Sequence, residues 1–309
     1  MSRKMLWLAL AVALPMTVTS GAAQTQPKLS AATVVEKNVA ARGGLQAWRG
    51  VQTMTLSGLL GAGGNQRATL NLPSSQSGTS AAARKGETAV LPARPKDEAQ
   101  LPITIYMARG RKMRIELQFR GDTALQVFDG TNGWKLRPYL NRRVVEPFSE
   151  EERKVSADEQ ELDGPLVDYA AKGSKVELAG MEKVEGRDNY KIKITFKNGD
   201  SKNVWIDAET FLESKIEGTP RRMDGTYHPV EVYYRDYRNV SGLQVPFVIE
   251  THVLPVTKTA TGLRDTPVPP EKMVFDKIVV NPKLEASLFS KPEVMQPSAR
   301  KPAPVAMTK

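Results

Sequence analysis

The stretch NYKIKITFKNGDSKNVWI, residues Asn189 to Ile206, indicates how this chain folds. Apolar and polar side chains alternate along its first half, as they do in a strand that has one buried and one exposed face. Asn198-Gly199 is a hairpin signal, and residues 203–206 return from the turn as a second strand. The apolar face is formed by Tyr190, Ile192, Ile194 and Phe196. A strand pair of this kind is typical of an antiparallel sheet with one covered face.

Similar strand signals recur on both sides of this hairpin. They lie at 53–60, 66–72, 101–107, 113–119, 124–128, 134–138 and 143–145, and then at 212–217, 229–234, 245–252 and 273–280. Helical spacing follows Ser30 and stops at Gly43-Gly44, and a capping box of Ser149 and Glu152 begins a second helix. A third, short helix is predicted at 165–172.

These signals predict a mainly β protein with some α-helix. About 10–12 short strands without βαβ alternation form a single, strongly curved antiparallel sheet, because long sheets tend to curl. The two or three helices cover its concave face. The predicted architecture is therefore an unclosed β-barrel with a helical lid.

Composition and the chain ends predict an exported protein. Arg3 and Lys4, an apolar core at 5–18 and the small residues 20–23 form a signal peptide, with cleavage after Ala23. We expect the periplasm, or alternatively the exterior, as the location. The half-barrel domain is predicted at 24–292, with a mobile insertion at about 73–100 and a disordered basic tail at 293–309. The chain has no cysteine, which excludes disulfides, cysteine-ligated zinc and thiol nucleophiles.

The net charge of +10 is spread along the chain. No basic helix and no basic patch interleaved with aromatic residues appears, so we expect no nucleic acid partner. Anionic lipid head groups remain candidate partners.

The sequence contains little that could support catalysis or metal binding. The stretch QVFDGTNGWKLRP (126–138) does not continue as a calcium loop after Asp129. Such a loop needs an oxygen ligand at its fifth position, a glycine at its sixth and a glutamate at its twelfth, where this chain has Gly133, Trp134 and Leu140. We interpret it as a hairpin turn. The two histidines, His228 and His252, have no partner at metal-ligand spacing, and no hydrolase motif is present. We therefore expect no cofactor, no metal and no catalytic residue.

A curved sheet under a lid can enclose an apolar cavity instead of a filled core. The alternation of apolar residues along the strands is the same in both cases. If the cavity is hollow, the aromatic and aliphatic residues of the predicted strands are its walls. The candidate lining residues are Phe128, Trp134, Tyr190, Ile192, Ile194, Phe196 and Trp205.

Three stretches resemble the LolA/LolB superfamily of periplasmic lipoprotein carriers. Residues 106–114 (YMARGRKMR) resemble its strand–turn–strand segment, and residues 127–134 (VFDGTNGW) resemble its Asp-Gly hairpin. The third is a C-terminal series in the family's order: VWIDAETFLESKIE (204–217), VEVYYRDYRNVSGLQVPFVIET (230–251) and KIVVNPKLEASLFSKP (277–292). The resemblance covers about 45–292, without the insertion.

This resemblance implies that acyl chains of lipids or lipoproteins lie between sheet and lid, and that no reaction is catalysed. The family's arginine that steadies the closed lid matches Arg109. Membrane-associated donor and acceptor proteins are further expected partners, and a monomer is the expected state. Without a lipobox cysteine, a soluble shuttle toward the outer membrane is favoured. The alternatives are a non-catalytic scaffold that senses envelope lipids or binds a protein, as the related RseB-type sensors do, and a hydrolase with acids on separate strands.

Overall fold

Thirteen antiparallel strands form one open sheet, in the order β6-β5-β4-β3-β2-β1-β13-β12-β11-β10-β9-β8-β7. The computed structural model describes residues 29–63, 98–138, 142–159, 161–223, 225–256 and 269–293. The strands are β1 (Thr53–Gly63), β2 (Glu98–Ala108), β3 (Lys112–Phe119), β4 (Asp122–Phe128), β5 (Gly133–Arg137), β6 (Arg142–Pro147), β7 (Lys175–Val184), β8 (Arg187–Thr195), β9 (Ser201–Asp207), β10 (Glu213–Met223), β11 (Thr226–Val240), β12 (Leu243–Val253) and β13 (Glu271–Val280). The predicted fold class is confirmed, with one strand more than the predicted upper limit.

In the described residues, three α-helices accompany the sheet: α1 (Ala31–Ala41), α2 (Leu45–Gly50) and α3 (Glu150–Glu159). Both predicted caps are present. The hydroxyl of Ser30 accepts a hydrogen bond from the Thr33 amide at the start of α1. At α3, Ser149 and Glu152 exchange side-chain-to-backbone hydrogen bonds of 2.7 and 3.1 Å, which is a complete capping box.

The strand register separates two faces of the sheet. Met54 lies opposite Met107, and Leu56 lies opposite Ile105, so these side chains share one face. We call it the lid face, because α1, α2 and the turn-rich residues 161–173, here the lid segment, pack against it. The other face is the outer face. A short 3-10 helix (Ala286–Phe289) lies against β3.

Two apolar clusters join the lid to the lid face. In the first, Val34 and Val35 of α1 and Leu166 of the lid segment pack on β8 and β9. In the second, Trp48 of α2 and Leu162 pack on β1, β12 and β13. Val34, Val35 and Trp48 are each at most 1% exposed. The lid is therefore part of the core and not a loosely attached cover.

The structure differs from the sequence predictions at the lid segment, which is a series of turns instead of a helix at 165–172. Asp168 has a φ of +53°, in the left-handed region, and a residue there interrupts helical hydrogen bonding. The six-residue α2 and the strand β7 were not predicted. In β7, a register shift between Leu178 and Gly180 breaks the alternation of apolar residues.

Some predictions concern residues outside the described ranges. They are the signal peptide at 1–23, the strand at 66–72, nearly all of the basic tail and most of the insertion at 73–100. The last three residues of that insertion belong to β2, which begins at Glu98. None of the helices in the described ranges is long and apolar enough to cross a membrane.

Candidate functional site

A cavity of about 200 Å³ lies between the lid and the lid face. The lid contributes Trp48, Leu162 and Pro165, and the sheet contributes apolar residues of several strands. They are Met54, Leu56, Met107, Val204, Ile216, Val245 and Ile249. We call it the inner cavity. Because small-molecule pockets usually measure about 300–1,000 Å³, it is too small in this closed form for a complete acyl chain.

A second cavity of about 500 Å³ lies under α3, and we call it the α3 cavity. Ile216 lines the inner cavity, and the next two residues of β10, Glu217 and Gly218, line the α3 cavity. The two spaces are therefore neighbours along one strand. Val155 of α3 and Phe196 also line the second space.

Arg109, in the turn after β2, binds the lid. Its Nη2 donates to the Trp48 carbonyl at 2.6 Å, its Nε to the Val51 carbonyl at 2.8 Å and its Nη1 to Asp163 Oδ2 at 2.5 Å. Asp163 is 2% exposed, and its other carboxylate oxygen accepts from Lys172 Nζ at 2.6 Å. We call Arg109, Asp163 and Lys172 the clasp. It ties the turn after β2 to α2 and to the lid segment.

A second buried charge cluster lines the inner cavity. Arg42, at the C-terminal cap of α1, is 8% exposed and donates from Nη1 to the Asp163 carbonyl (3.0 Å) and to Glu213 Oε1 (3.2 Å). Its guanidinium lies 4.4 Å from the ring centre of Trp48. The Tyr237 hydroxyl lies 3.1 Å from the Glu213 carbonyl oxygen and 3.3 Å from Glu213 Oε2, and its single proton can be donated to either oxygen. Burial of the phenol, with the nearby Glu213 carboxylate, raises the pKa of Tyr237 well above its usual value, so the phenol remains a donor.

Further ion pairs fix the outside of the lid segment. Arg49 of α2 donates to both carboxylate oxygens of Asp168, at 2.8 and 2.7 Å, and this hydrogen bonding lowers the pKa of Asp168. Arg111 donates to Glu161 at 2.8 Å. The lid segment is thus held by charged contacts along its whole length, in addition to the apolar contacts of Leu162 and Leu166.

The apolar lid-face residues of the β8–β9 hairpin lie beneath α1 or at its edge. Ile192 and Ile194 are 0% exposed and pack in the cluster with Val34 and Val35. Tyr190 and Phe196 pack against the edge of this cluster. Ile192 and Ile194 form filled core, and Phe196 also lines the α3 cavity.

The three remaining aromatic candidates are divided between the faces. Phe128 is on the lid face, 1% exposed, and lies opposite Met113. Trp134 lies opposite Val127 and Trp205 opposite Lys191, so both point to the outer face. Trp205 is covered by two lysine side chains and donates from its indole nitrogen to Glu182 at 2.7 Å. Of the eight predicted residues, Arg109 contacts the lid, and none lines the inner cavity.

Among the described residues, no cluster of three or more His, Asp or Glu side chains could hold a metal ion. His228 is buried with Nδ1 3.2 Å from the Leu254 carbonyl oxygen, and His252 lies 2.9 Å from Glu250 Oε1. In the predicted hairpin turn, Asp129 Oδ1 accepts from the amides of Thr131 and Asn132 at 2.8 and 2.7 Å. The turn therefore uses Asp129 for its own geometry.

The sequence did not point to the residues that line the inner cavity. Glu213, the first residue of β10, is 171 positions from Arg42, and Arg42 and Trp48 belong to the cap of α1 and the short α2, outside any long periodic run. The one signal available was the Gly43-Gly44 pair, which forces the turn between α1 and α2. Gly43 has a φ of +115°, and a Cβ there would lie 2.5 Å from the Gly242 carbonyl oxygen.

Comparison with known proteins gives structural matches alone. No family model and no curated protein matches the sequence. A LolA superfamily protein from Nitrosomonas europaea matches with a TM-score of 0.48 and 12% identity, over 85% of this chain and 99% of that one. A domain described as an outer membrane lipoprotein-sorting protein, from Vibrio parahaemolyticus, has a TM-score of 0.46 and 12% identity, over 84% and 96% of the two chains. A DUF1329 family protein from Desulfovibrio piger has a TM-score of 0.46 and 11% identity, over 84% and 97%. The solved structures similar to this chain thus include a protein of the LolA superfamily, which the sequence motifs resemble.

Proposed function

We propose that this protein is a non-catalytic periplasmic carrier that binds acyl chains of lipids or lipoproteins on the lid face and moves them toward the outer membrane. The observation that carries the proposal is an apolar space left between a clasped lid and a one-sided sheet. An ordinary domain fills such a space with side chains, because interiors are close-packed.

The energies of binding and opening are compatible. Each methylene removed from water contributes about 0.8 kcal/mol, so a chain of about a dozen gains on the order of 10 kcal/mol. A charge-assisted hydrogen bond of the clasp contributes about 1.5–3 kcal/mol. Burial of one acyl chain can therefore offset the loss of several lid contacts, and the closed form without ligand stays stable.

We infer that α3 is the element that opens first. Ser156 is the only buried residue among 150–157, whereas α1 and α2 bury valines and a tryptophan in the core. Two polar contacts join α3 to the sheet: Lys135 donates to Glu152, and the Tyr227 hydroxyl donates to Glu151 Oε1 at 3.3 Å. Moving α3 exposes the α3 cavity without breaking either apolar cluster.

Tryptophan quenching by a brominated acyl chain tests the proposal. Apart from Trp7 in the predicted signal peptide, the chain has three tryptophans, of which Trp48 lines the inner cavity and Trp205 is on the outer face. A variant that keeps Trp48 alone (Trp134→Phe, Trp205→Phe) is compared with one that keeps Trp205 alone. We expect saturable quenching of Trp48 at low micromolar probe and none of Trp205. Absence of quenching in both proteins, with no lipid released from protein isolated from the periplasm, would contradict the proposal.

A further inference from the structure

The inner cavity has one polar corner in otherwise apolar walls. Arg42 and Glu213 line it together, and both side chains are 9% exposed. Taking an ion pair out of water costs several kcal/mol per ion, and an apolar pair of similar volume is often equally stable. A charged pair at the wall of an apolar cavity therefore needs a reason beyond stability.

The Arg42 guanidinium uses only one of its nitrogens for hydrogen bonds to described residues. Both of its hydrogen bonds, to the Asp163 carbonyl and to Glu213, leave from Nη1. Nε is enclosed without a partner, and neither of the side-chain hydrogen bonds that Arg42 makes to described residues uses Nη2. Because a guanidinium has five N–H donors, most of the donor capacity at this corner is unused.

The charge of the corner is already balanced. Glu213 neutralises Arg42, and the Tyr237 hydroxyl lies within hydrogen-bonding distance of that same carboxylate. A free carboxylate entering the corner would meet Glu213 and would have to lose its hydration without a cation of its own. A neutral carbonyl oxygen needs only a donor, and Nη2 is a donor that carries positive charge.

We propose, building on the carrier function above, that Arg42 Nη2 binds the carbonyl oxygen of a neutral acyl ester or amide and that Glu213 excludes free fatty acids. The corner thus selects acyl groups attached to a larger molecule. The Trp48 ring, whose centre lies 4.4 Å from the guanidinium carbon, helps to hold the guanidinium in place.

The test compares a brominated fatty acid with its methyl ester at pH 8.5, where the acid is ionised, using the protein that keeps Trp48 alone. We expect the ester to bind at least tenfold more tightly. Glu213→Gln leaves Arg42 without its counter-ion, so the affinity for the acid should rise at least tenfold relative to the affinity for the ester. Glu182→Gln, on the outer face beside Trp205, removes the same charge elsewhere and should leave the ratio unchanged.

A second variant keeps the inference testable if Glu213→Gln fails to fold. Arg42→Met/Glu213→Leu replaces the pair with apolar residues of similar size, which buried pairs tolerate. Its ester affinity should fall about tenfold relative to a brominated hydrocarbon of equal length. Unchanged acid-to-ester and ester-to-hydrocarbon ratios in these variants would overturn the inference. If no probe binds to any of the proteins, the carrier function itself is wrong.

Discussion

Replacing Arg109 with leucine should loosen the lid while leaving the sheet folded. The substitution removes three hydrogen bonds, two to the carbonyls of Trp48 and Val51 and one to Asp163. Breaking a buried pair completely costs about 3–5 kcal/mol. The Arg109 side chain is 30% exposed, so water replaces part of the interaction, and Lys172 still neutralises Asp163. We therefore expect a loss of about 2 kcal/mol.

A loss of about 2 kcal/mol that acts on lid opening corresponds to a roughly 30-fold larger open population. Hydrogen exchange measures this directly, because local opening controls the exchange of protected amides. The amides of α2 and of residues 161–173 should exchange about 30-fold faster in Arg109→Leu. Amides at the β11–β12 pairing, away from the clasp, should keep their rates.

Arg111→Leu is the matched control. Arg111 lies two residues further along the same turn, is 47% exposed and makes a single ion pair, with Glu161. Exposed pairs of this kind contribute about 0–1 kcal/mol. If Arg109→Leu accelerates exchange no more than Arg111→Leu does, the clasp does not hold the lid, and Arg109 has no role in closing it.

Three further outcomes are expected. A bismaleimide cross-link between Glu151→Cys on α3 and Tyr227→Cys should slow acyl exchange. The link is specific because the chain has no other cysteine. The same double variant, left without cross-linker and with its thiols reduced, should exchange normally. The lowered pKa of Asp168 means that its pair with α2 stabilises the protein above about pH 4 and is lost as the pH falls further; Asp168→Asn, which tolerates the left-handed backbone, should show lower stability at pH 7 and a shallower loss in acid urea titrations. Gly43→Ala should destabilise the protein by about 1–3 kcal/mol, because the backbone there has a positive φ and an added Cβ would lie 2.5 Å from the Gly242 carbonyl oxygen. Gly50→Ala should not destabilise it, because no atom lies within 4 Å of that Cβ position. Equal denaturation midpoints of the two variants would contradict this.

The parts of the fold that were predictable depend on short-range chemistry. Alternation from Tyr190 to Phe196 identifies a one-sided strand, and the Ser149–Glu152 box marks the start of α3 within four residues. The elements that were missed are those in which local signals are interrupted. The bulge at Gly180 breaks the period of β7, and α2 is shorter than two helical turns.

The site was less predictable, because alternation identifies a face of the sheet but not what covers it. Ile192 and Ile194 were expected to share one apolar face, and they lie on the lid face, where α1 fills the space above them. Trp205 and Trp134 belong to the outer face, which an aromatic residue alone does not reveal. Arg42 and Glu213 meet across 171 positions, a pairing that only the folded topology creates.

Under the proposed carrier function, the charged contacts of the lid segment account for a lid that closes over an apolar cavity and still opens. A lid sealed by apolar side chains alone would compete with the acyl chain for the same surface, since both gain by leaving water. The clasp and the Arg49–Asp168 pair are instead satisfied through polar groups that water can replace on opening. In the proposed carrier, closure is then stable without ligand and reversible with it, and the apolar walls at Met54, Leu56 and Val245 are the surface offered to cargo.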